Sequence, residues 1–332
     1  MRVIVQPPTF PLRSAMAEPR TIIHGDWSKD RHKRVAAVAR RDGSGYRVET
    51  IAPFGDLFPD AEALLREPPP VLVGFDFPIG VPISYGRRLE AKDFKAFLTG
   101  MDDATFARFS SPAERADGIS LARPFYPARP GGTRQSHLLY GHGVTSIGDL
   151  MRRCDLKTDE RPAACSIFWT LGGNQVGRAA VAGWREYLRP LAKTGQVAFW
   201  PFDGTLSECL GTFRVSIVET YPADAMRQVK LRVQRPWSKR RQDSRLEVAD
   251  SLLAFSRDLG TALDRTVEQA IREGFGSDSL GEDRFDALVG LLAMIAVCLG
   301  RPEGAPDSDD TRRWEGWIFG QSPTRGTHGR AG

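Results

Sequence analysis

The pattern of apolar and polar residues predicts a series of short strands followed by alternating helices and strands. Three short apolar segments open the regular part of the chain, and they predict strands at 21–28, 35–39 and 46–54. The Asp-Gly-Ser-Gly turn between the last two is typical of a hairpin, so we expect a meander. A short helix near 61–65 should end at the three prolines 68–70.

The continuous apolar run 71–75 predicts a central strand that is covered on both faces. Residues 81–165 lose this regularity and are rich in proline, glycine and arginine. Because a structureless loop of that length is uncommon in a compact domain, we interpret this segment as an insertion or cap with short helices, such as 92–98. Regular structure is then predicted at 166–170, at helices 176–188, 223–229, 246–258, 262–273 and 282–299, and at strands 196–202 and 213–218.

A meander that leads into a parallel crossover predicts an α/β fold with a mixed sheet and helices on both faces. We expect a disordered leader at 1–20, a domain at 21–300 that contains the insertion after the fourth strand, and a tail at 301–332. Within the tail, the aromatic segment 314–319 is expected to dock onto the domain.

Composition narrows the class of protein. The chain has 332 residues, which suffice for a core without disulfides or a structural metal. Its four cysteines form no CxxC pair, and its longest apolar run, 287–299, is too short to span a bilayer. These features predict a soluble protein of a reducing compartment such as the cytoplasm, with no membrane partner.

Charge is concentrated in the segment 227–245, where eight lysines and arginines are opposed by one aspartate. Such a cluster attracts polyanions, but it can equally be a solvated loop and helix face. Basic and aromatic residues are also interleaved in the insertion, as in proteins that bind single-stranded nucleic acid. The candidate substrate-binding residues are Gln175 and Arg178 at a glycine-rich helix start, Arg129 and Arg134 in the insertion, and Lys230 and Arg235 in the basic segment.

Five acidic residues follow predicted strands or begin the last predicted helix: Asp26, Asp76, Glu219, Asp283 and Asp286. Carboxylates at the ends of neighbouring strands meet at one edge of a sheet, and a helix start packed there can complete the cluster. Grouped carboxylates repel one another unless a cation neutralises them, and hard oxygen ligands suit Mg²⁺ or Mn²⁺. Each acid has a structural alternative, as a turn former, a helix cap or a carboxylate bound by backbone N–H groups.

Four segments, IIHGDWS, VLVGFDFPIG, VSIVETYPA and EDRFDALVGLLAMIA, resemble the signature blocks of domain-of-unknown-function family 429. The resemblance spans about residues 21–320 and includes WTLGGNQVG and EGWIFG. That family is predicted to be RNase H-like and related to RuvC-type resolvases. The resemblance implies that Asp26, Glu219 and the Asp283/Asp286 pair take the metal-binding positions, while Asp76 matches the family's aspartate before proline.

The leading hypothesis is therefore a hydrolase, a Mg²⁺- or Mn²⁺-dependent nuclease that acts on DNA or RNA. In it Asp26 bridges the metals, Glu219 and Asp286 hold one each, Asp283 is a ligand or its neighbour, and Asp76 orients water. Two alternatives stay open. One is a non-catalytic nucleic-acid-binding protein with the same fold, and the other is a small-molecule phosphotransferase.

Overall fold

The computed structural model describes residues 18–158, 161–171, 176–231, 233 and 236–322. Strands of this part form one seven-stranded sheet in the order β5-β6-β4-β1-β2-β3-β7. The strands are β1 (Thr21–Asp26), β2 (Val35–Asp42), β3 (Gly45–Pro53), β4 (Val71–Phe75), β5 (Val197–Phe199), β6 (Val215–Glu219) and β7 (Ala262–Leu263).

Both antiparallel and parallel pairing occur in this sheet. The first three strands form the predicted antiparallel meander, with β2 between β1 and β3. On the other side of β1, strands β4, β6 and β5 continue the sheet in parallel. The predicted α/β fold with a mixed sheet is therefore confirmed. Because β1, β4 and β6 run in the same direction, their carboxyl ends lie at the same edge.

The helices that follow these strands differ from prediction at a few places. Residues 262 and 263, predicted as the start of the helix 262–273, instead form β7 beside β3. The predicted helix 246–258 is divided between two helices, 242–247 and 249–258. The segment 166–170 holds only an isolated bridge from Trp169 to Tyr126. The helices are α1 (Phe54–Leu57), α2 (Ala61–Arg66), α3 (Ile83–Gly86), α4 (Phe94–Gly100), α5 (Asp103–Ser110), α6 (Ser136–His142), α7 (Val176–Gly183), α8 (Arg189–Lys193), α9 (Leu206–Thr212), α10 (Pro222–Gln228), α11 (Gln242–Glu247), α12 (Ala249–Asp258), α13 (Arg265–Arg272) and α14 (Gly281–Cys298).

Helices cover the sheet on both faces, as predicted. On one face α14 packs across β1, β2 and β3, and α10 packs against α14. On the other face lie α2 and the helical segment that runs from α7 through the wide turn Trp184–Leu188 into α8. Alternate residues of β1 enter the two cores, with Ile22 facing α14 and Ile23 facing the opposite layer. The sheet therefore has two distinct faces on which functional side chains can lie.

In the long segment between β4 and α7, the described residues form short helices and contribute to the core on the face opposite α14. Its helices α4 and α5 carry Phe94 and Phe109, which both contact the buried ring of Trp184. Farther along the chain, the aromatic rings of Trp314, Trp317 and Phe319 are buried, and the Phe319 N–H donates to the Glu219 carbonyl oxygen. Among the described residues, every helix is too short or too polar to cross a membrane.

Candidate carboxylate site

Two of the predicted acids meet at the carboxyl edge of the sheet. Gly25 in β1 pairs with Phe75 in β4, so the next residues along both strands, Asp26 and Asp76, lie side by side. The charge of Asp76 raises the pKa of Asp26, and the Trp27 N–H donates to Asp76 Oδ1 at 2.6 Å. Parallel pairing of β1 with β4 thus creates a contact between residues that are 50 positions apart in the sequence.

Helix α14 adds Asp283 and Asp286, which lie three residues apart and so share one helix face. Both carboxylates are near enough to Asp26 to raise its pKa. The sequence-predicted grouping of these acids with Asp26 and Asp76 is therefore present in the structure.

His24 attaches α14 to β1 beside this cluster. Its Nδ1 lies 3.0 Å from the Ala287 carbonyl oxygen, and its Nε2 lies 2.8 Å from Thr220 Oγ1. Since a carbonyl only accepts, Nδ1 carries the proton and Nε2 accepts from the threonine hydroxyl. Gly290 permits this close approach, because a Cβ there would lie 2.2 Å from the His24 ring. Burial lowers the pKa of His24 to about 4, so its ring is neutral at physiological pH.

Lys239 provides a positive charge inside the cluster. Its ammonium group forms an ion pair with Asp286 and lies 3.5 Å from Glu282 Oε1. Although burial opposes its charge, these carboxylates and Asp26 raise the pKa of Lys239 above its usual value. One cation thus faces several carboxylates in a largely buried place.

Burial and mutual repulsion raise the pKa values of all four acids. The pKa of Asp26 is well above its usual value because of burial first and then the charges of Asp76, Asp286 and Asp283. Burial is also the main reason that the pKa of Asp76 rises to about 7 and that of Asp283 to about 6. Burial raises the pKa of Asp286 as well, although Lys239 opposes that rise. The cluster therefore retains protons near neutral pH when no further cation is bound.

The oxygens of the cluster fit a hard divalent cation in their chemistry. Asp283 Oδ2 and Asp286 Oδ1 are buried and accept no hydrogen bond. An unpaired buried carboxylate oxygen is costly, and a cation would compensate it. In the present arrangement, no group of three or more His, Cys, Asp or Glu side chains in the described ranges is spaced to hold a metal ion. The ammonium group of Lys239 instead supplies the positive charge beside Asp286.

Glu219 does not join the other acids, and this corrects the expected metal-binding set. It pairs with Phe75 in register, one residue short of the level of Asp26 and Asp76, so its side chain lies on the opposite face of the sheet. There it forms a two-pronged ion pair with Arg152, with both N–O distances 2.6 Å, and accepts from the Ile79 N–H at 2.7 Å. The alternative of a buried carboxylate bound by backbone N–H groups therefore describes Glu219 better than a role as metal ligand.

The candidate substrate-binding residues are dispersed, and two of them, Gln175 and Arg235, lie outside the described residues. Arg129 is exposed and pairs with Glu114 at 3.2 Å. Arg178 donates to the carbonyl oxygen of Ala128, the residue before Arg129, at 2.6 Å. Arg134 and Lys230 are exposed.

Most of the described cations of the basic segment 227–245 are engaged by contacts within the chain. Arg227 pairs with Asp224, Arg240 with Glu282, and Arg241 with Asp243. The Arg245 side chain is buried and donates to the carbonyl oxygens of residues 239, 274 and 276. This segment therefore offers less free positive charge to a polyanion than its sequence suggests.

Two residues of the site were not singled out from the sequence. His24 lies two positions before Asp26, and strand alternation alone places both on the same face. That spacing is a usable signal. Lys239 lies in a loop among many other basic residues, and no local pattern distinguishes it from them.

Comparisons with protein-family models, with curated proteins and with solved structures find no match for this chain. The resemblance of its four sequence blocks to domain-of-unknown-function family 429 stays a prediction from the sequence.

Proposed function

We propose that this chain is a divalent-metal-dependent nuclease on an RNase H-like scaffold, with nucleic acid as substrate. One observation carries the proposal: four carboxylates from two strand ends and one helix start converge in a largely buried cluster, and two of their oxygens are unpaired. The antiparallel β1–β3 meander joined to parallel β4 and β6 supports the RNase H-like assignment. The family resemblance adds support from the sequence.

The residues proposed to hold Mg²⁺ or Mn²⁺ are Asp26, Asp283 and Asp286, with Asp76 beside Asp26. This set replaces the one that the resemblance implies, since Glu219 is engaged by Arg152 on the other face. When bound, such a cation activates water and neutralises charge on the phosphodiester.

The residues around the cluster determine where its carboxylates lie and how far they are protonated. His24 joins β1 to α14 by its hydrogen bond to the Ala287 carbonyl oxygen, and its second hydrogen bond joins β1 to Thr220 after β6. The first of these bonds helps to hold Asp26 near Asp286. The Trp27 N–H orients Asp76 through Oδ1. Near neutral pH the neighbouring carboxyls of Asp26 and Asp76 retain a proton, and an added cation would release it. The affinity for the cation should therefore increase with pH.

Titration calorimetry with Mg²⁺ and Mn²⁺ tests the metal site without knowledge of the substrate. We expect wild type to bind and the Asp26→Asn/Asp286→Asn double variant to show no binding. The exposed Asp250, at the start of α12, offers a matched control, and the Asp250→Asn variant should bind as wild type does. Equal binding by the double variant would exclude the cluster as the metal site.

The nuclease activity itself is tested with labelled DNA and RNA oligonucleotides in the presence of Mn²⁺. We expect cleavage by wild type, none by Asp26→Asn, and none in the presence of EDTA. A protein that binds nucleic acid equally well in EDTA and with Asp26→Asn, but never cleaves it, would instead fit the non-catalytic alternative. Full cleavage by Asp26→Asn would refute the proposed mechanism.

A further inference from the structure

A cleft of about 410 Å³ lies between the inserted segment and the helical segment that begins with α7. Its walls include Ser110 and Arg123 from the insertion, Arg178 and Arg185 from the helical segment, and Lys29 from the connection between β1 and β2. A volume of this size is typical of ligand sites.

Within the described part of the chain, none of the four cations that line the cleft forms an ion pair, and the arginines among them have neutral partners. Arg123 donates to the carbonyl oxygens of Ser111 and Pro112 at 3.0 and 2.7 Å. Arg185 donates to Ser110 Oγ at 2.7 Å. Carbonyl and hydroxyl oxygens satisfy N–H groups but do not neutralise a guanidinium charge.

Arg178 and Lys29 complete this set. Arg178 donates to the Ala128 carbonyl oxygen through Nη2, while its buried Nε has no partner. Lys29 is exposed at the cleft and, among the described residues, forms no ion pair. A buried N–H donor without an acceptor is costly, and an oxygen from a ligand would satisfy it.

The two acids of the cleft do not offset this charge, because each is already paired with an arginine. Glu186 binds Arg34 at 2.7 Å and Arg31 at 3.1 Å. Glu114 binds Arg129 at 3.2 Å. The cleft therefore carries an uncompensated positive charge in a concave surface, where potentials are strongest.

The cleft borders the connection between β1 and β2, which begins directly after Asp26. Lys29 is three positions beyond Asp26. Trp27, the residue after Asp26, packs edge-on against Tyr187 of the helical segment, with ring centroids 5.1 Å apart. In the same connection, the charge of Lys33 acts on Asp283. The cleft thus reaches the carboxyl edge of the sheet at Lys29, on the face opposite α14 and the acids.

We propose that this cleft binds the phosphate groups of a single-stranded nucleic acid. The choice of a strand rests on the proposed function, whereas the phosphate chemistry follows from the unpaired cations alone. Guanidinium groups are well suited to phosphate because their N–H donors match its oxygens. Lys29 and Arg185 are the exposed members and are expected to make the strongest contribution to strand capture.

The experiment is fluorescence anisotropy with a labelled single-stranded DNA of about 20 nucleotides, in excess EDTA so that binding is measured without metal chemistry. The Lys29→Gln/Arg185→Gln variant should raise the Kd at least about tenfold and reduce the salt slope by about 1.4, since each lost phosphate contact removes about 0.7. The control Lys193→Gln/Arg257→Gln changes the same net charge at exposed positions outside the cleft, and should leave the Kd nearly unchanged.

Several outcomes would overturn this proposal. Equal weakening by both double variants would show that only net charge matters, and no weakening by Lys29→Gln/Arg185→Gln would exclude the cleft. Displacement of the strand by an equal concentration of AMP would indicate a site for a small phosphate compound instead. The Asp26→Asn/Asp286→Asn variant should still bind the strand. If wild type binds the strand but binds neither Mg²⁺ nor Mn²⁺, the nuclease proposal is refuted and the cleft proposal stands.

Discussion

Replacing Asp76 by asparagine should change how the stability of the protein depends on pH. The substitution keeps the size of the side chain and an oxygen that can accept from the Trp27 N–H. It removes a carboxyl whose pKa rises from 3.8 to about 7, chiefly through burial. A carboxyl with a raised folded-state pKa contributes stability at low pH and loses that contribution as pH rises through its folded-state value.

The size of this effect follows from the shift. Each pKa unit corresponds to about 1.36 kcal/mol, so a rise of about three units corresponds to about 4 kcal/mol. We expect the unfolding free energies of wild type and Asp76→Asn to be similar at about pH 4, and the variant to be more stable by up to about 4 kcal/mol at about pH 8. The charge of Asp76 also raises the pKa of Asp26. Its removal therefore lowers the pKa of Asp26 and makes the variant still more stable than wild type at about pH 8.

The assay is urea denaturation in excess EDTA across this pH range, followed by the difference between variant and wild type. The variant must be compared with wild type at each pH, because His24 changes the stability of both proteins in the opposite direction. Burial lowers the pKa of His24 from 6.5 to about 4, so the stability that the neutral ring contributes is lost as pH decreases. Asp56 in α1 is exposed, and Asp56→Asn should differ from wild type by less than about 0.5 kcal/mol at every pH.

A difference for Asp76→Asn that stays below about 1 kcal/mol at about pH 8 would refute the description of Asp76 as a partly buried carboxyl with a raised pKa. Saturating Mg²⁺ provides a second check. If the cation binds this cluster, a concentration of about 100 Kd should stabilise wild type by about 2.7 kcal/mol, and the variant by less.

Three further substitutions test the surroundings of the site by urea denaturation. Arg152→Met should cost about 3–5 kcal/mol at neutral pH, because it leaves the buried Glu219 without its ion-pair partner, and the cost should decrease at acidic pH. His24→Gln should remove the loss of stability between pH 6.5 and about 4, and an unchanged pH profile would contradict the neutral buried imidazole. Gly290→Ala should cost about 1–3 kcal/mol and weaken Mg²⁺ binding in calorimetry, since its Cβ would lie 2.2 Å from the His24 ring.

Local sequence patterns determined most of the sheet. The apolar run of β4 was predicted with its observed bounds, and the hairpin turn between β2 and β3 identified the meander. The long apolar helix α14 was also evident, because apolar residues recur at helical spacing along it and no proline interrupts them. These elements depend on the side chains of neighbouring residues, which a sequence displays directly.

Short elements were harder to predict from the sequence. The two-residue strand β7 exists only because β3 offers it a hydrogen-bonding edge, and its sequence continues a helical pattern. Within the insertion, the helices are stabilised by aromatic contacts such as that of Phe109 with Trp184, between residues far apart in the chain. Such contacts override local propensity.

For the candidate site, the sequence determined the residue types and their positions at strand ends and at a helix start. It placed Asp26, Asp76, Asp283 and Asp286 correctly at one edge, since strand direction and helical spacing suffice for that. Which face each carboxylate occupies was decided only by tertiary structure. Register between β4 and β6 directs Glu219 away from Asp26, toward a buried arginine that lies 67 positions earlier in the chain. Side chains alternate between the two faces of a sheet at every residue of a strand. A shift of one position in register therefore decides whether a strand-end carboxylate joins the cluster or forms a structural ion pair on the other face.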